Sequence, residues 1–225
     1  MLAAGEGSRL RQDGWSVPKP LVPVGGVTLI EHAIENLLAA GAERVAILFN
    51  EAEEDCARFV RTRFPGRDIA VALRTTASSL ETFRELSRTL PAGPALFSTV
   101  DAWCPREDFV RFAREARRHG DATVLGVTRF VDDERPLWVR RGEDGRVTEI
   151  GGTEGDGVTA GFYRFSARAR ALGLEAPESL ARLRSFLGWL LDRGEPIWSV
   201  EIEKVIDVDR SRDVALAEEL AAAPR

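Results

Sequence analysis

Short apolar runs alternate with amphipathic segments through the first half of the chain. The apolar runs have the length and composition of buried strands and cover residues 44–49, 69–73, 95–100 and 122–128. The amphipathic segments, one before each apolar run, repeat apolar side chains at helical spacing and cover residues 29–38, 52–63, 79–90 and 105–118. Strands that alternate with helices in this way predict an α/β fold with a mainly parallel sheet flanked by helices.

The predicted helices have recognisable end signals. Thr28 and Glu31 stand three residues apart, as in a capping box, where each side chain bonds the backbone N–H of the other residue. Gly41 supplies the stop signal of the same helix. Pro105 is predicted in the first turn of the helix that follows it, because a residue there needs no backbone N–H.

The second half of the chain has a less regular pattern. Gly142-Glu143-Asp144-Gly145 is a turn sequence between the strand-like segments 137–140 and 146–150, so we predict a small β-hairpin. The other predicted elements are strands over 158–165 and 197–202, a helix over 180–191 and a final helix capped by Ser211. Because no linker-like stretch divides the sequence, we predict a single domain over residues 1–225.

Composition and charge narrow the functions that the chain could have. Of its 225 residues, 44% are hydrophobic and 30% are charged, and the formal net charge is −5. This acidic balance argues against a general nucleic-acid-binding protein, which normally carries a basic excess. Cys56 and Cys104 are too few for a disulfide framework, and no apolar stretch approaches the roughly 20 residues of a membrane span. With no leader-like segment at the start, we expect a cytoplasmic protein that binds neither membrane nor nucleic acid.

The strongest candidate for chemistry is the opening segment, Leu2-Ala3-Ala4-Gly5-Glu6-Gly7-Ser8-Arg9-Leu10. Glycines let a ligand approach the main chain, and successive backbone N–H groups at a helix start form an anion site. Arg9 adds a forked donor for phosphate oxygens. A compact positive charge, Lys19, follows in Pro18-Lys19-Pro20-Leu21. Each motif alone fits an ordinary surface turn, but the two together predict a polyphosphate-binding site.

This pair of motifs resembles the signature of the sugar-phosphate nucleotidyltransferase superfamily. Weaker stretches near Asp101, Gly161 and Asp207 follow in the expected order, so the resemblance spans nearly the whole chain. The resemblance implies a Rossmann-like fold, Mg²⁺ as cofactor, and two partners: a nucleoside triphosphate and a phosphorylated small-molecule acceptor. The nucleotide contacts that it implies are Leu2, Ala3, Ala4, Gly5, Gly7, Ser8, Thr76 and Ser78. The hydroxyl groups of Thr76 and Ser78 could equally be helix caps.

The reaction implied by the resemblance is attack of an acceptor phosphate oxygen on the α-phosphorus of the nucleoside triphosphate, with release of pyrophosphate. Because the nucleophile is already anionic, the protein must supply positioning and positive charge rather than a base. We assign the catalytic roles to Arg9, on the β- and γ-phosphates, and to Lys19, on the α-phosphate in the transition state.

Aspartates that follow two strand-like segments are the candidate metal ligands. Asp101 ends the run 95–100, and ligands of open α/β sheets lie beyond the carboxyl ends of the strands. Asp207 and Asp209 stand two apart in an extended segment, so both carboxylates can face one ion. By resemblance, Asp101 holds Mg²⁺ and the later pair supplies the second ligand, with Asp209 slightly favoured over Asp207. Helix capping is the alternative use of these carboxylates.

The acceptor side is expected near Thr159, Gly161 and Tyr163. Gly161 would allow close backbone approach, and Thr159 replaces an asparagine that many members of the superfamily carry; the alternative is a buried strand with a packing glycine. A Glu-Lys-Pro sequence, whose lysine grips the acceptor phosphate in many members, is missing from the hairpin region. The candidate replacements for that lysine are Arg140, Arg141, Arg146 and Lys204.

The start of the chain departs from the resemblance. Members of the superfamily carry a buried strand immediately before this glycine turn, and here Met1 directly precedes Leu2. A central strand lost from a sheet would leave unpaired backbone groups and an open apolar face. We therefore expect the first strand to be largely missing and the true start to lie upstream of Met1. A shortened chain, or compensation elsewhere in the fold, are the alternatives.

The sequence thus predicts an enzyme, an Mg²⁺-dependent nucleotidyltransferase, and leaves two other functions open. The short first strand and the missing acceptor lysine would also suit a non-catalytic nucleotide-binding relative. Asp207-Val208-Asp209 matches the D-x-D pattern of metal-dependent glycosyltransferases, although these need neither the glycine turn nor Lys19. A dinucleotide-binding fold is disfavoured because the turn has no third glycine.

Overall fold

The computed structural model describes residues 1–5, 7–132 and 135–222. Its strands are β1 (Leu2–Ala3), β2 (Pro23–Val24), β3 (Val27–Thr28), β4 (Val45–Phe49), β5 (Ile69–Leu73), β6 (Ala95–Ser98), β7 (Ala102–Trp103), β8 (Thr123–Thr128), β9 (Trp138–Arg141), β10 (Val147–Ile150), β11 (Gly157–Phe165), β12 (Ile197–Glu201) and β13 (Ile206–Asp207). Its helices are α1 (Ser8–Gln12), α2 (Leu29–Ala39), α3 (Glu54–Arg63), α4 (Ser79–Thr89), α5 (Arg106–Arg117), α6 (Ala167–Glu175), α7 (Leu183–Asp192) and α8 (Ser211–Ala222).

The longer strands form a mixed sheet in two halves. In the first half, β4 lies between β1 and β5, and all three strands are parallel. In the second half, β8 pairs in parallel with β12 and antiparallel with β11, which also pairs antiparallel with β6. The halves meet at Leu2, which bridges to Thr99 just beyond β6. The α/β fold is confirmed, as is the hairpin, formed by β9 and β10; the antiparallel direction of β11 was not predicted.

The first strand is short but bonded to both of its neighbours. β1 has only two residues, which agrees with the expectation that most of this strand is missing. The Leu48 N–H donates to the Met1 carbonyl at 3.3 Å, and the Val100 N–H donates to the Leu2 carbonyl at 3.1 Å. The sheet is therefore continuous through this point, and the position of the true start stays a prediction.

Two apolar clusters lie between the sheet and its helices, and β11 contributes to both. Phe162 packs edge-on against Phe109 of α5, with ring centroids 5.0 Å apart. Phe165 packs against Phe83 of α4, with ring centroids 4.7 Å apart. Because successive side chains of a strand point to opposite faces, these two phenylalanines attach β11 to helices on both sides of the sheet.

Most predicted elements are confirmed within a few residues, but two helix starts differ. Thr28 caps α2 as predicted: its Oγ1 accepts the Glu31 N–H at 3.3 Å. Pro105 precedes α5 rather than lying in its first turn, because its ψ of 142° is extended. Ser211 begins α8, and the carboxylate of Asp213 accepts the Arg210 N–H at 2.7 Å in the capping role. Helices α1 and α6 and the β2–β3 hairpin were not predicted as separate elements.

Among the described residues, no helix combines the length and apolar character that a membrane span requires. Cys56 and Cys104 are both buried and form no disulfide. Burial, together with the nearby charges of Glu53 and Asp55, raises the pKa of the Cys56 thiol to about 12. This thiol therefore stays protonated at neutral pH and acts as a small apolar side chain.

Glu53 is a buried carboxyl group at the start of α3, with 8% of its surface exposed. Its Oε2 accepts the Asn50 N–H at 3.2 Å. Burial raises its pKa from 4.5 to about 7, and the Asn50 N–H and the Arg11 charge offset only part of this shift. Because the unfolded chain releases this proton at lower pH than the folded chain, Glu53 makes folding less favourable as the pH rises from 4.5 to about 7.

We expect Glu53→Gln to raise the free energy of unfolding at pH 8 by about 1–3 kcal/mol, since the neutral amide keeps an acceptor for Asn50 and carries no buried charge. At about pH 3.5, roughly one unit below the unfolded-state pKa of 4.5, the carboxyl is mostly neutral in both states and the two proteins should differ little. Urea unfolding at both pH values measures this. Glu51→Gln, at an exposed position nearby, is the control; an equal effect of Glu53→Gln at both pH values would contradict the assignment.

Candidate active site

A cleft of about 770 Å³ opens beyond the carboxyl ends of β1 and β6. Its walls come from the turn after β1, the start of α4, the segment after β6, β11, the start of α7 and the segment before α8. Open α/β sheets bind ligands in this position, because strand ends and helix starts converge there. The cleft is therefore the candidate active site.

Most of the predicted site residues line this cleft: Leu2, Ala4, Gly5, Arg9, Lys19, Thr76, Ser78, Asp101, Thr159, Gly161, Tyr163, Asp207 and Asp209. Ala3, Gly7 and Ser8 do not line it, and their assignment as nucleotide contacts stays a prediction. Ala3 is buried in the core, and Ser8 is an exposed residue at the start of α1.

Gly7 packs directly behind Lys19. Its φ of +57° lies in the left-handed region, and a Cβ at this position would come within 2.7 Å of the Lys19 Cβ. The lysine begins a 3₁₀ turn, Lys19–Leu21, after Pro18. A side chain at position 7 would therefore displace the backbone that carries Lys19, which explains the glycine there without a direct ligand contact.

The predicted metal ligands converge at one end of the cleft. Strands β7 and β13 pair antiparallel, and the Val208 N–H donates to the Asp101 carbonyl at 3.0 Å. This pairing brings the carboxylates of Asp101, Asp207 and Asp209 together, with one oxygen atom of each within 4.8 Å of the others. Both later aspartates join the cluster, so the geometry does not favour one of them. Three oxygen donors this close fit a hard divalent cation such as Mg²⁺.

Lys19 and Arg9 contact the same carboxylates. The Lys19 Nζ donates to Asp101 Oδ2 at 2.6 Å and also to Asp209 Oδ1. The Arg9 Nη1 donates to Asp209 Oδ2 at 2.7 Å. The Lys19 side chain is only 7% exposed, so its charge lies inside the protein rather than on the surface.

The pKa values of the buried pair move in opposite directions. Burial by itself lowers the pKa of Lys19, but the charges of Asp101, Asp207 and Asp209 outweigh it, and the pKa is raised. Burial by itself raises the pKa of Asp101, but the Lys19 ammonium and a hydrogen bond with Thr99 outweigh it, and the pKa is lowered. Both groups are therefore charged at neutral pH, and each stabilises the other's ionised form.

Side chains outside the cleft fix the backbone that carries Asp209. The buried Asp213 Oδ2 accepts the N–H groups of Asp209, at 2.9 Å, and Arg210, at 2.7 Å. The Ser211 N–H donates to Asp13 Oδ2 at 2.8 Å, and the Trp15 Nε1–H donates to the Ser211 Oγ at 2.9 Å. The segment after α1 is thus bonded to the start of α8.

The predicted acceptor segment of the cleft bulges where Gly161 lies. The β11–β8 pairing shifts register between Thr159 and Tyr163, and Gly161 has a φ of +73°. A Cβ at Gly161 would lie 2.7 Å from both Thr99 Oγ1 and the Ala102 Cβ. The glycine therefore has a packing role next to the Asp101 segment and also lines the cleft. Its role in acceptor binding stays a prediction.

The tyrosine of this segment is buried. Burial raises the pKa of Tyr163 to about 12, although a hydrogen bond with Thr159 partly opposes the shift. The hydroxyl therefore stays protonated at neutral pH and can act only as a neutral hydrogen-bonding group on the cleft wall.

Of the two hydroxyl residues before α4, only Ser78 is a helix cap. The Ser78 Oγ accepts the Glu81 N–H at 3.1 Å and so caps α4. The Thr76 hydroxyl instead lies 2.7 Å from the Thr82 hydroxyl. Both residues also line the cleft, and their assignment as nucleotide contacts stays a prediction.

None of the four candidate replacements for the acceptor lysine lines the cleft. Arg140 pairs with Glu154 at 2.7 Å, Arg141 pairs with Glu201, and the Lys204 Nζ lies 4.3 Å from the ring centroid of Phe130.

The cleft instead contains three arginines that the sequence analysis missed: Arg135, Arg182 and Arg184. The Arg184 Nη2 donates to the Arg135 carbonyl at 2.7 Å. They lie in no motif, and only the fold brings the start of α7 to the cleft.

A family model described as the MobA-like NTP transferase domain matches residues 1–185. This match covers the glycine turn, Lys19, Asp101 and the β11 segment. The chain belongs to the MobA-like NTP transferase family. The predicted resemblance to nucleotidyltransferases is thereby confirmed, and the D-x-D glycosyltransferase interpretation has no support.

Solved structures with the same fold cover the whole chain. The inositol-1-phosphate CTP transferase from T. maritima has a TM-score of 0.81 at 19% identity, with 100% of this chain and 96% of that chain covered. A putative glucose-1-phosphate thymidylyltransferase from Bacillus anthracis has a TM-score of 0.86 at 18% identity, with 100% and 94% covered. At these identities the similarity shows that the MobA-like chain has the nucleotidyltransferase fold.

Curated relatives are longer than this MobA-like chain. A bifunctional IPC transferase and DIPP synthase of Rubrobacter xylanophilus is 30% identical over 229 residues, which cover 98% of this chain and 51% of the relative. A glucose-1-phosphate thymidylyltransferase of Actinoplanes sp. is 27% identical over 78% of this chain and 50% of the relative. The chain thus spans about half the length of these relatives.

We expect Asp213→Ala to lower the free energy of unfolding by about 1–3 kcal/mol, because the Asp209 and Arg210 N–H groups lose their acceptor. Urea unfolding measures the change. Glu219→Ala removes an exposed carboxylate from the same helix and should change stability by less than about 0.5 kcal/mol. Equal losses in the two variants would show that Asp213 does not hold this segment.

Proposed function

We propose that this chain is an Mg²⁺-dependent nucleotidyltransferase, which transfers the nucleoside monophosphate part of a nucleoside triphosphate to a phosphorylated small molecule and releases pyrophosphate. The observation that best supports this is the convergence of Lys19 and Arg9 on three carboxylates at one end of the cleft. Phosphoryl transfer needs cationic side chains for the phosphates and oxygen donors for a divalent cation. The relatives named above carry names of the same reaction class.

The proposed reaction is an in-line displacement. An acceptor phosphate oxygen forms a bond to the α-phosphorus while the bond from that phosphorus to the β-bridging oxygen breaks, and pyrophosphate leaves with the bonding electrons. Two anions must be brought together, and like charges 4 Å apart repel by about 4 kcal/mol at an effective dielectric of 20. Lys19 lowers this barrier by contacting the α-phosphate, and Arg9 binds the leaving β- and γ-phosphates.

Mg²⁺ would be held by Asp101 with Asp207 and Asp209, whose oxygens already lie together. When bound, the ion would neutralise phosphate charge and polarise the α-phosphate. The chain's own contribution is to hold these carboxylates in place, through the β7–β13 pairing and the hydrogen bonds of Asp213.

Arg182 and Arg184 are our candidates for binding the acceptor phosphate. Both line the cleft at the start of α7, and the Arg184 charge lies close enough to Tyr163 to act on the pKa of that hydroxyl group. Arginine binds phosphate oxygens with two parallel N–H groups and keeps its charge at every physiological pH. These residues would therefore do what the lysine of the Glu-Lys-Pro sequence does in other members of the superfamily.

We infer a cytoplasmic location, because nucleoside triphosphates are available there and both cysteines are buried thiols that form no disulfide. The proposed partners are a nucleoside triphosphate and a phosphorylated acceptor, and neither nucleic acid nor a membrane is required. A non-catalytic nucleotide-binding relative is the other candidate function, motivated by the missing Glu-Lys-Pro sequence of the hairpin region.

The deciding experiment is an assay of pyrophosphate release with Mg²⁺, in which each nucleoside triphosphate is combined with sugar 1-phosphates, inositol 1-phosphate and phosphocholine. Release with one pair would establish the reaction and identify both substrates. Nucleotide binding by calorimetry without release from any pair would favour the non-catalytic alternative. Circular dichroism should confirm that the protein is folded in either case.

Lys19→Ala should lower kcat by about 10²–10³-fold, because the residue is assigned to charge that develops in the transition state. The affinity for the nucleoside triphosphate should fall only a few-fold, since Arg9 and the backbone of the glycine turn still bind it. Steady-state pyrophosphate release and calorimetry with a non-hydrolysable analogue measure the two quantities. Equal losses in both would contradict the transition-state role.

Arg184→Gln should raise the acceptor KM tenfold or more, because a charge-assisted hydrogen bond contributes about 1.5–3 kcal/mol. The KM for the nucleoside triphosphate should be nearly unchanged. Arg140→Gln is the matched control, since Arg140 is paired with Glu149 and Glu154 outside the cleft. An acceptor KM that is the same in both variants would remove Arg184 from the acceptor site.

A further inference from the structure

The Lys19 ammonium group uses the same oxygen donors that a divalent cation would need. It bonds Asp101 at 2.6 Å and Asp209, and these are two of the three clustered carboxylates. Asp209 is also paired with Arg9 at 2.7 Å. Within residues 1–5, 7–132 and 135–222, both hydrogen bonds that the Lys19 Nζ donates thus go to atoms of the carboxylate cluster.

The backbone that carries Lys19 has little freedom to move. Pro18 and Pro20 flank the residue, and Gly7 lies behind it so closely that a Cβ there would come within 2.7 Å. Any change in the position of the ammonium group must therefore come from rotation of the side chain. The flexible four-carbon stem of lysine permits such rotation, whereas the donors of arginine are fixed in a planar fork.

We propose that Lys19 and a divalent cation compete for Asp101 and Asp209, so that the metal ion binds tightly only together with the nucleotide. This inference rests on the proposed function, because the triphosphate supplies the new partner for the lysine. Without a triphosphate, a divalent cation bound to these carboxylates would take them from Lys19 and Arg9 and would lie beside both positive charges. Binding of the metal ion alone would therefore be weak. With a triphosphate, Lys19 moves to the α-phosphate and Arg9 to the outer phosphates, and the carboxylates become available to the metal.

The test measures metal binding and does not depend on turnover. Mn²⁺, which takes oxygen ligands in octahedral geometry, is titrated into each protein and free Mn²⁺ is followed by electron paramagnetic resonance. Lys19→Met keeps the length and apolar stem of the side chain and removes its charge. This variant should bind Mn²⁺ alone at least tenfold more tightly than the original protein. A non-hydrolysable triphosphate analogue should remove most of this difference, by tightening Mn²⁺ binding to the original protein.

Arg212→Met is the control for a general effect of charge. Arg212 lies near Asp207 and Asp209, but its Nε–H is paired with Asp213 Oδ1, at 3.3 Å. The Mn²⁺ affinity of the Arg212→Met variant should stay within about threefold of that of the original protein, because the exposed charge of Arg212 is screened by salt. Lys19→Gln provides a second neutral variant in case Lys19→Met folds poorly. The second readout is the Tm, which Mn²⁺ should raise more in the Lys19 variants than in the original protein.

Three results would overturn the inference. The first is equal Mn²⁺ affinity in the original protein and both Lys19 variants. The second is equal tightening in Arg212→Met, which would indicate a general charge effect. The third is no Mn²⁺ binding by any variant, with or without the analogue, which would remove the metal site and the proposed function together. Failure of the proposed function alone would be recognised by absent pyrophosphate release despite the expected Mn²⁺ titrations.

Discussion

The ammonium group of Lys19 is buried in the protein, where it contacts carboxylates from two distant parts of the chain. Its side chain is 7% exposed and bonds Asp101 and Asp209. A buried ammonium without a partner would be strongly unfavourable, so the segments that carry these residues must lie together in the folded protein. The need to pair this charge therefore links the Lys19–Leu21 turn, the segment after β6 and the segment before α8. It also brings into one place the charges that a polyphosphate and a divalent cation would need.

A second set of hydrogen bonds, made by residues outside the cleft, supports this arrangement. Asp213 accepts two backbone N–H groups of the segment that carries Asp209, and Asp13 and Trp15 both bond Ser211. The segment that follows α1 and the start of α8 are thereby joined outside the cleft. A site whose charged groups are held by supporting hydrogen bonds needs little rearrangement when a ligand binds. The rotatable stem of Lys19 is the mobile part of this otherwise supported site.

Membership of the MobA-like NTP transferase family agrees with the glycine turn, Lys19 and Asp101, which lie within the matched residues. The hairpin lysine of many nucleotidyltransferases is missing here, and arginines at the start of α7 line the cleft. The sequence predicted the replacement charge in or near the hairpin, but Arg140 and Arg141 are paired there with glutamates outside the cleft. The acceptor site that we propose thus includes a wall that no motif marks.

Local patterns in the sequence determined the helices and strands of the first half and the cap at Thr28, because these features depend on neighbouring residues. The same kind of pattern predicted phosphate binding by the Gly5–Lys19 region. The spacing of Asp207 and Asp209 also placed both carboxylates on one side of an extended segment. Tertiary structure alone decided the antiparallel direction of β11, the packing role of Gly7 and Gly161, the hydrogen bonds of Asp213 and the arginines of the cleft. These features depend on contacts between residues far apart in the chain, such as Lys19 and Asp209, 190 positions apart. No local pattern encodes such contacts, because they exist only once the sheet has brought distant strand ends to the same edge.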